Sequence, residues 1–184
     1  MILCARIGGA PGAKMKRLYD EVEGGKSMES ATQLAFTLEA ARKRLSRDPL
    51  AVWIGYQLDE LEPGRVVASM MADPKYIAPN GFLHGSVSLA LADITCGYGS
   101  AALVRGPDEK IVTIEFKANN LGTALTGKLL CKAAARHVGS STHVWDADVI
   151  AAATGKPVMI FRCTQMVLRP PTDICGVLPK LRPS

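Results

Sequence analysis

The feature that most constrains the fold is a run of 22 residues, 83–104, that carries one charged side chain. Its sequence, LHGSVSLALADITCGYGSAALV, is much longer than a typical β-strand. Small and apolar residues occur throughout the run, whereas a surface helix would keep one polar face. We therefore predict a helix that is buried on nearly all sides. Burying such a helix requires a curved sheet around it, which predicts an α+β fold.

Segments with strand-like patterns lie on both sides of the predicted helix. Two of them precede it, joined by a Glu-Pro-Gly turn, and the others follow it: 51–61, 65–72, 110–118, 126–138, 142–152 and 158–168. Short turns between the later segments predict an antiparallel meander of three or four strands. In the segment 110–118, alternation predicts one face with Val112, Ile114 and Phe116, and another with Thr113, Glu115 and Lys117.

The two ends of the chain are less regular. Residues 1–49 form a predicted N-terminal extension with one helix, which begins at the capping residue Ser27 and ends at Asp48-Pro49. Residues 50–169 form the predicted domain. Residues 170–184 contain four prolines, which predicts an irregular tail.

Composition and charge exclude several classes of protein. The net charge of +5 is small, no run of five basic residues occurs, and aromatic residues make up only 5%. These values argue against a nucleic-acid surface. The first residues lack the apolar core of a secretory signal, and no stretch of about 18 uncharged apolar residues occurs. We therefore expect a cytoplasmic protein that binds neither nucleic acid nor membrane.

Cysteine and histidine usage indicates neither a disulfide framework nor a metal site. The five cysteines are widely spaced and include no CxxC pair: Cys4, Cys96, Cys131, Cys163 and Cys175. Buried free thiols are the simpler interpretation. The three histidines are scattered, and two of them, His137 and His143, flank a predicted turn where we expect surface residues. No metal or other cofactor is expected.

The loop before the predicted buried helix contains Asn80 and the pair His84-Gly85. The first N–H groups of a helix have no intrahelical partner, and the helix dipole places positive charge behind them. Such a helix start can bind an oxygen that gains negative charge. Gly85 would let a ligand carbonyl approach the backbone closely.

Asp93 is the only charged residue in the predicted helix. A carboxylate is costly to bury without a partner, and isolated carboxylates cluster at functional sites. The alternative is that Asp93 lies at an exposed point or caps a backbone amide. His84 and Asp93 are nine residues apart, about 13 Å along a helix and about half a turn out of phase. A two-fold dimer could bring the helix start of one protomer to the carboxylate of the other.

These motifs resemble the hotdog-fold thioesterases of the phenylacetate-degradation type over about residues 50–169. The shared motifs are a His-Gly helix start, a Leu-x-Asp carboxylate about nine residues later and a T/S-x-x-(F/Y) strand, matched by His84-Gly85, Leu91-Ala92-Asp93 and Thr113–Phe116. The resemblance implies a hotdog fold, in which a curved antiparallel sheet wraps around one long helix. It also implies active sites at the subunit interface of a homodimer or a dimer of dimers.

The resemblance further implies an acyl-CoA thioesterase. Asp93 would be the nucleophile or the general base, the Gly85 N–H would polarise the thioester carbonyl, and Thr113 would help to position water. Asn80 is a candidate partner for water or for His84, and His84 either takes part in catalysis or only holds the loop. The implied substrate-binding residues are Ser86, Lys117, Lys132 and Arg136, the three cations as partners of the coenzyme A phosphates; solvated surface charges remain the alternative for each.

Two departures from the family pattern keep a second function open. Ser86 replaces the second glycine of the family motif, and Asn80 stands four residues before His84, whereas the family's loop asparagine stands about six before. A non-catalytic acyl-CoA-binding hotdog protein is therefore the alternative. The histidine and carboxylate arrangement of hotdog dehydratases is not found.

Overall fold

The computed structural model describes residues 36–106 and 108–169. Its elements, in chain order, are α1 Leu38–Leu45, α2 Pro49–Ile54, β1 Gln57–Glu62, β2 Arg65–Ala72, a 3-10 turn Pro74–Tyr76, α3 Gly85–Ala101, β3 Lys110–Asn120, β4 Gly127–Val138, β5 Thr142–Ala151 and β6 Pro157–Leu168. One antiparallel six-stranded sheet contains all the strands. The predicted α+β class is confirmed.

The long helix α3 packs against the sheet, as its sequence predicts, and contacts all six strands. Its 17 residues include the buried side chains of Val87, Leu91 and Cys96. Near its C-terminal end, the Nε1 of the fully buried Trp145 donates a hydrogen bond of 2.7 Å to Ser100 Oγ. This bond satisfies the indole N–H, which would otherwise be costly to bury.

The strand order confirms an antiparallel meander of three strands, β4 to β6, and excludes β3 from its predicted place before them. Strands β4, β5 and β6 are consecutive neighbours, but β3 pairs with β6 at one edge, and β2 pairs with β4. The order is β1-β2-β4-β5-β6-β3. The chain runs through α3 across the sheet before β3 begins, so β3 joins the far edge. Alternating hydrophobicity identifies strands, whereas their neighbours depend on where the connections run.

A β-bulge corrects the faces predicted for β3. The register with β6 shifts between Thr113 and Glu115, and an extra residue reverses the alternation beyond it. Thr113 and Phe116 therefore both lie on the side of the sheet that faces α3, opposite the buried residues Gln165 and Cys163. The predicted assignment of Phe116 and Thr113 to opposite faces is wrong.

The segment 51–56 is not part of a strand, because α2 occupies most of it and β1 begins only at Gln57. Asp48 Oδ1 accepts hydrogen bonds from Leu50 N and Ala51 N, at 3.0 and 3.2 Å. Pro49 stands at the first helical position, which proline favours. Asp48-Pro49 therefore starts a helix, and α1 ends at Leu45, before the predicted end.

An N-terminal helix is confirmed, but α1 begins only at Leu38, after the cap Thr37, and Phe36 and Thr37 are not helical, so the prediction of one unbroken helix from Ser27 to Asp48 is wrong. The predicted start at Ser27 and the predicted tail 170–184 lie outside the described residues, as do Cys4 and Cys175. Cys96, Cys131 and Cys163 are free and buried, as predicted. Among the described helices, none has the length and apolar character needed to cross a membrane.

Candidate active site

The loop before α3 is held by its own backbone and by one contact to a distant loop. Ala78 N donates to Phe82 O at 2.8 Å, and Asn80 Oδ1 accepts from Phe82 N at 3.2 Å. Leu83 N donates to the hydroxyl of Thr123 at 2.9 Å. Asn80 thus forms a turn within the loop, a common role of asparagine. Among the described residues, the side chains of Asn80 and His84 form no hydrogen bond with each other.

His84 caps α3 with its side chain. Its Nδ1 lies 2.8 Å from Ser86 Oγ and accepts a longer hydrogen bond, 3.4 Å, from Ser86 N. An Nδ1 that accepts from a backbone N–H carries no proton, so a neutral ring has its proton on Nε2. His84 N also donates to Tyr76 O at 2.8 Å. These contacts match the role of holding the loop.

The first amide of the helix remains available for a ligand. Val87 N bonds to His84 O, and Ser86 N bonds to His84 Nδ1. Within residues 36–106 and 108–169, no group accepts a hydrogen bond from Gly85 N. The helix start therefore presents one unpaired N–H with the positive end of the helix dipole behind it.

Gly85 is also the point where the end of β3 comes closest to the helix. A Cβ added at Gly85 would lie 2.6 Å from Nδ2 of Asn120, the last residue of β3. A real Cβ would require the exposed Asn120 side chain to move. The space beside Gly85, where we expected a ligand carbonyl to approach, is thus partly filled by the side chain of Asn120. The sequence did not indicate this contact.

Asp93 lies half-buried on α3 and is anchored by β3. Thr113 Oγ1 donates a hydrogen bond of 2.8 Å to Asp93 Oδ1. The other carboxylate oxygen, Oδ2, has no hydrogen-bond partner among the described residues. The structure thus brings together Asp93 and Thr113, two of the residues singled out in the sequence, and leaves one carboxylate oxygen free.

Gln165 belongs to the same cluster and was not found from the sequence. Its side chain, only 1% exposed, lies opposite Thr113 in the β3–β6 register. Gln165 Nε2 lies 3.0 Å from Thr113 Oγ1 and 3.4 Å from Cys163 Sγ. The available signal was a polar residue in the buried phase of a strand whose other buried-phase residues, Phe161, Cys163 and Val167, are apolar.

The three basic residues considered for substrate phosphates lie on the sheet face opposite α3. Lys132 pairs in register with Asp148, and Lys117 pairs with Arg162. Arg136 donates to Asp146 Oδ2 at 2.7 Å. These positions lie on the other side of the sheet from Asp93.

Arg162, which the sequence did not single out, binds the same carboxylate. Its Nε and one terminal nitrogen contact the two oxygens of Asp146 at 2.5 and 2.8 Å. The Arg162 hydrogen bonds, followed by those of Arg136, lower the pKa of Asp146. Asp146 therefore offsets part of the positive charge of Arg136, which leaves Lys117 and Lys132 as the less compensated cations of the three.

Comparisons of the sequence and of the structure relate this chain to known proteins. The thioesterase superfamily matches residues 80–158. A 1,4-dihydroxy-2-naphthoyl-CoA hydrolase of Listeria monocytogenes is 36% identical over 111 residues, which cover 60% of this chain and 89% of the relative. A mutant form of the thioesterase PA1618 from Pseudomonas aeruginosa has a similar structure, with a TM-score of 0.66, 30% identity and coverage of 72% of this chain and 94% of that one.

The fold alone is also similar to that of the PaaI protein from the phenylacetic acid degradation operon of Escherichia coli. That structure has a TM-score of 0.65 at 21% identity, with coverage of 76% of this chain and 96% of that chain.

Proposed function

Because the chain belongs to the thioesterase superfamily and has its hotdog fold, we propose that it hydrolyses an acyl-CoA thioester to the free acid and coenzyme A. The resemblance to the phenylacetate-degradation type is thereby confirmed at the level of the family. The Listeria relative is named as the hydrolase of a CoA thioester, which supports this substrate class. The acyl group is left open.

The arrangement of Asp93 is the observation that carries the proposal. Its Oδ1 is held by Thr113, while its Oδ2 is free among the described residues. In one mechanism, Oδ2 attacks the thioester carbonyl carbon and displaces coenzyme A as the thiolate, and water then hydrolyses the resulting acyl-Asp93 anhydride to the free acid and the carboxylate. In the other, Oδ2 takes a proton from a water that attacks the same carbon, and the tetrahedral intermediate collapses by expelling the thiolate. Thr113 fixes the carboxylate in both mechanisms, in addition to the contact with water that the family resemblance implies.

Gly85 supplies the other half of the proposed site. Its unpaired N–H donates to the carbonyl oxygen, which becomes negative as the nucleophile adds. Ser86 and His84 keep that amide aimed outward through their mutual contact at 2.8 Å. His84 therefore serves as a cap in this proposal and transfers no proton. Asn80 contributes by shaping the loop.

The proposed site needs two chains. Gly85 and Asp93 are eight residues apart on one helix, which separates them by about 12 Å along its axis. One thioester carbonyl cannot contact both within a protomer. A two-fold dimer, alone or as half of a dimer of dimers, places Gly85 of one protomer opposite Asp93 of the other.

The nucleotide end of coenzyme A carries phosphates, for which Lys117 and Lys132 are the proposed partners; both lie across the sheet from Asp93, so the substrate has to extend past a sheet edge to reach them. Arg136 contributes less, because Asp146 already binds it. Ser86 lies beside Gly85 and would contact the thioester end of the substrate. Each phosphate contact of this kind affects substrate affinity more than the chemical step.

The test is the release of free thiol from a panel of aliphatic and aromatic acyl-CoA thioesters. Asp93→Asn keeps the size of the side chain and removes the reactive charge. We expect its kcat to fall by about 100-fold or more, with an unchanged oligomeric state and thermal unfolding curve. Asp108→Asn, an exposed aspartate between α3 and β3, is the matched control and should retain wild-type activity.

The same assay separates the alternative function. A wild-type protein that binds acyl-CoA in calorimetry but releases no thiol would be a non-catalytic acyl-CoA-binding protein. Full activity of Asp93→Asn would disprove the assignment of the carboxylate.

A further inference from the structure

We propose that Gln165 is a positioning residue for Asp93 and acts on it through Thr113. This inference rests on the proposed function, because it assigns a role within the same site. Gln165 does not touch Asp93 itself. It lies on β6, while Thr113 lies on β3 and Asp93 on α3, so the three residues connect three elements of the fold.

The direction of each hydrogen bond follows from the number of protons available. Thr113 Oγ1 carries one proton and has two acceptors within reach, Asp93 Oδ1 at 2.8 Å and Gln165 Oε1 at 3.2 Å. The carboxylate is nearer and charged, so it takes the proton. Thr113 Oγ1 must then accept from Gln165 Nε2, at 3.0 Å.

The second proton of the Gln165 amide also has a partner. Nε2 carries two protons, and one of them points to Cys163 Sγ at 3.4 Å. Both N–H groups are therefore engaged, which fixes the orientation of the amide. The resulting relay runs from the Gln165 amide to the Thr113 hydroxyl and then to Asp93 Oδ1.

A contact to Gln165 restricts a hydroxyl that would otherwise rotate. Thr113 is exposed on an edge strand and stands at the β-bulge, so its own surroundings constrain it weakly. An N–H donated to Oγ1 leaves the hydroxyl proton directed toward Asp93 and strengthens it as a donor. Asp93 Oδ1 is thereby held, and Oδ2 keeps a defined direction toward the ligand.

Core packing alone does not require an amide at this position. The buried-phase neighbours along β6 are apolar, and a buried amide lowers stability unless its groups are hydrogen-bonded. Methionine has the length of glutamine and would fill the same space. Methionine would lack both N–H donors of the amide, and of these only the one to Thr113 reaches the site; the other contacts Cys163 Sγ.

The experiment compares Gln165→Met with the wild type, each also in a Thr113→Val background. We expect Gln165→Met to lower kcat by about 10- to 100-fold, the size of effect that a misplaced catalytic group produces, and to leave KM within about twofold. In the Thr113→Val background, which has no hydroxyl to orient, Gln165→Met should cause no further loss.

Ser100→Ala is the matched control for a lost buried hydrogen bond. It removes the acceptor of Trp145 Nε1 on the same helix as Asp93 and is outside the relay. It should lower thermal stability and leave kcat unchanged. Wild-type kcat in a folded Gln165→Met variant, or equal losses in both backgrounds, would refute the positioning role.

A second readout requires neither activity nor a folded Gln165 variant. In NMR spectra, Asp93→Asn should shift the side-chain NH2 resonances of Gln165, because the Thr113 proton loses its charged acceptor; Asp108→Asn should not shift them. Unchanged resonances in Asp93→Asn would disprove the relay.

If the wild type hydrolyses no thioester in the panel, the proposed function fails and the role of Gln165 with it. If the wild type is active and only the Gln165 results disagree, the positioning role alone fails.

Discussion

At the scale of single residues, His143 is the clearest departure from the sequence-based expectation. The sequence predicts a surface histidine beside a turn, but the side chain is 2% exposed. Its Nδ1 has no partner among the described residues. His143 lies opposite Gln165 in the sheet, on the side of α3. Burial lowers its pKa below 6.5, opposed by a backbone group of Gly139 and, more weakly, by Glu109; His137 and Arg105 lower it further.

This lowered pKa predicts a loss of stability in mild acid. Below pH 6.5 the unfolded chain takes up a proton at His143 that the folded protein resists, so the free energy of unfolding falls until pH passes the folded pKa. The slope from one proton is at most about 1.4 kcal/mol per pH unit. His143→Leu should reduce the pH dependence of the free energy of unfolding, measured with urea between pH 7 and 5. Substitution of the exposed His137 by Gln should leave that dependence unchanged. An equal slope in wild type and His143→Leu would contradict the assignment.

The residues of the candidate site differ in how visible they are in the sequence. Asp93 was found because one charge stands out in an apolar helix, and Thr113 because the family resemblance implied a residue there that positions water; their hydrogen bond to each other is a finding of the structure. Asn120 carries no signal of this kind, and Gln165 carries only that of a polar residue in a buried phase, because the importance of both comes from contacts between elements that are distant in the chain. Gln165 is 52 residues from Thr113, so its partner depends on strand order.

At the scale of elements, the contact of α3 with β5 depends on a glycine. A Cβ added at Gly99 would lie 2.5 and 2.8 Å from ring carbons of Trp145 and 2.9 Å from Val66 Cγ2. Trp145 is fully buried and held by its bond to Ser100, so it cannot easily move away. Gly97, two residues earlier on the helix, has open space around its Cα.

Substitution by alanine is expected to have opposite effects on stability at Gly99 and at Gly97. Gly99→Ala should destabilise the protein by about 1–3 kcal/mol, because an overpacked core forces side chains or backbone to shift. Gly97→Ala should be neutral or stabilise it by up to about 1 kcal/mol, because alanine favours a helix. Denaturant unfolding of both variants provides the measurement. Comparable stability of the two would show that the helix and the sheet are less closely packed than the structure indicates.

Most elements could be predicted from the sequence, but their arrangement could not. The apolar run at 83–104 and the alternating segments after it were sufficient for α3 and for β3 to β6. Asp48-Pro49 gives the same signal for the end of one helix and the start of the next, so α2 was missed. The bulge after Thr113 cannot be recognised from the hydrophobic alternation of the sequence. It nevertheless determines which side chains of β3 face Asp93.

At the scale of the whole molecule, β3 is the longer of the two edge strands of the sheet, the other being β1. It has 11 residues and pairs on one side only, with β6. Ile114 and Phe116 are 51% and 50% exposed along it. A long apolar edge strand is prone to pair with another chain, and a two-fold axis beside it would bury both side chains. This edge also carries Thr113, so pairing there would bring the site of one protomer close to that of the other.

A mixture of two inactive variants tests whether each site is shared between protomers. Gly85→Pro removes the proposed N–H donor at a first helical position, which proline tolerates. Gly85→Ala adds a Cβ and keeps the N–H, and should remain more active than Gly85→Pro.

If Gly85 of one chain works with Asp93 of the other, a mixed dimer of Gly85→Pro and Asp93→Asn has one intact site and one doubly altered site. Random exchange yields half mixed dimers, so about a quarter of wild-type activity should return. Asp93→Asn mixed with Asp93→Ala should recover nothing. No recovery in the first mixture, once exchange is verified by mass spectrometry of tagged subunits, would mean that Gly85 and Asp93 do not act on the same thioester across the interface.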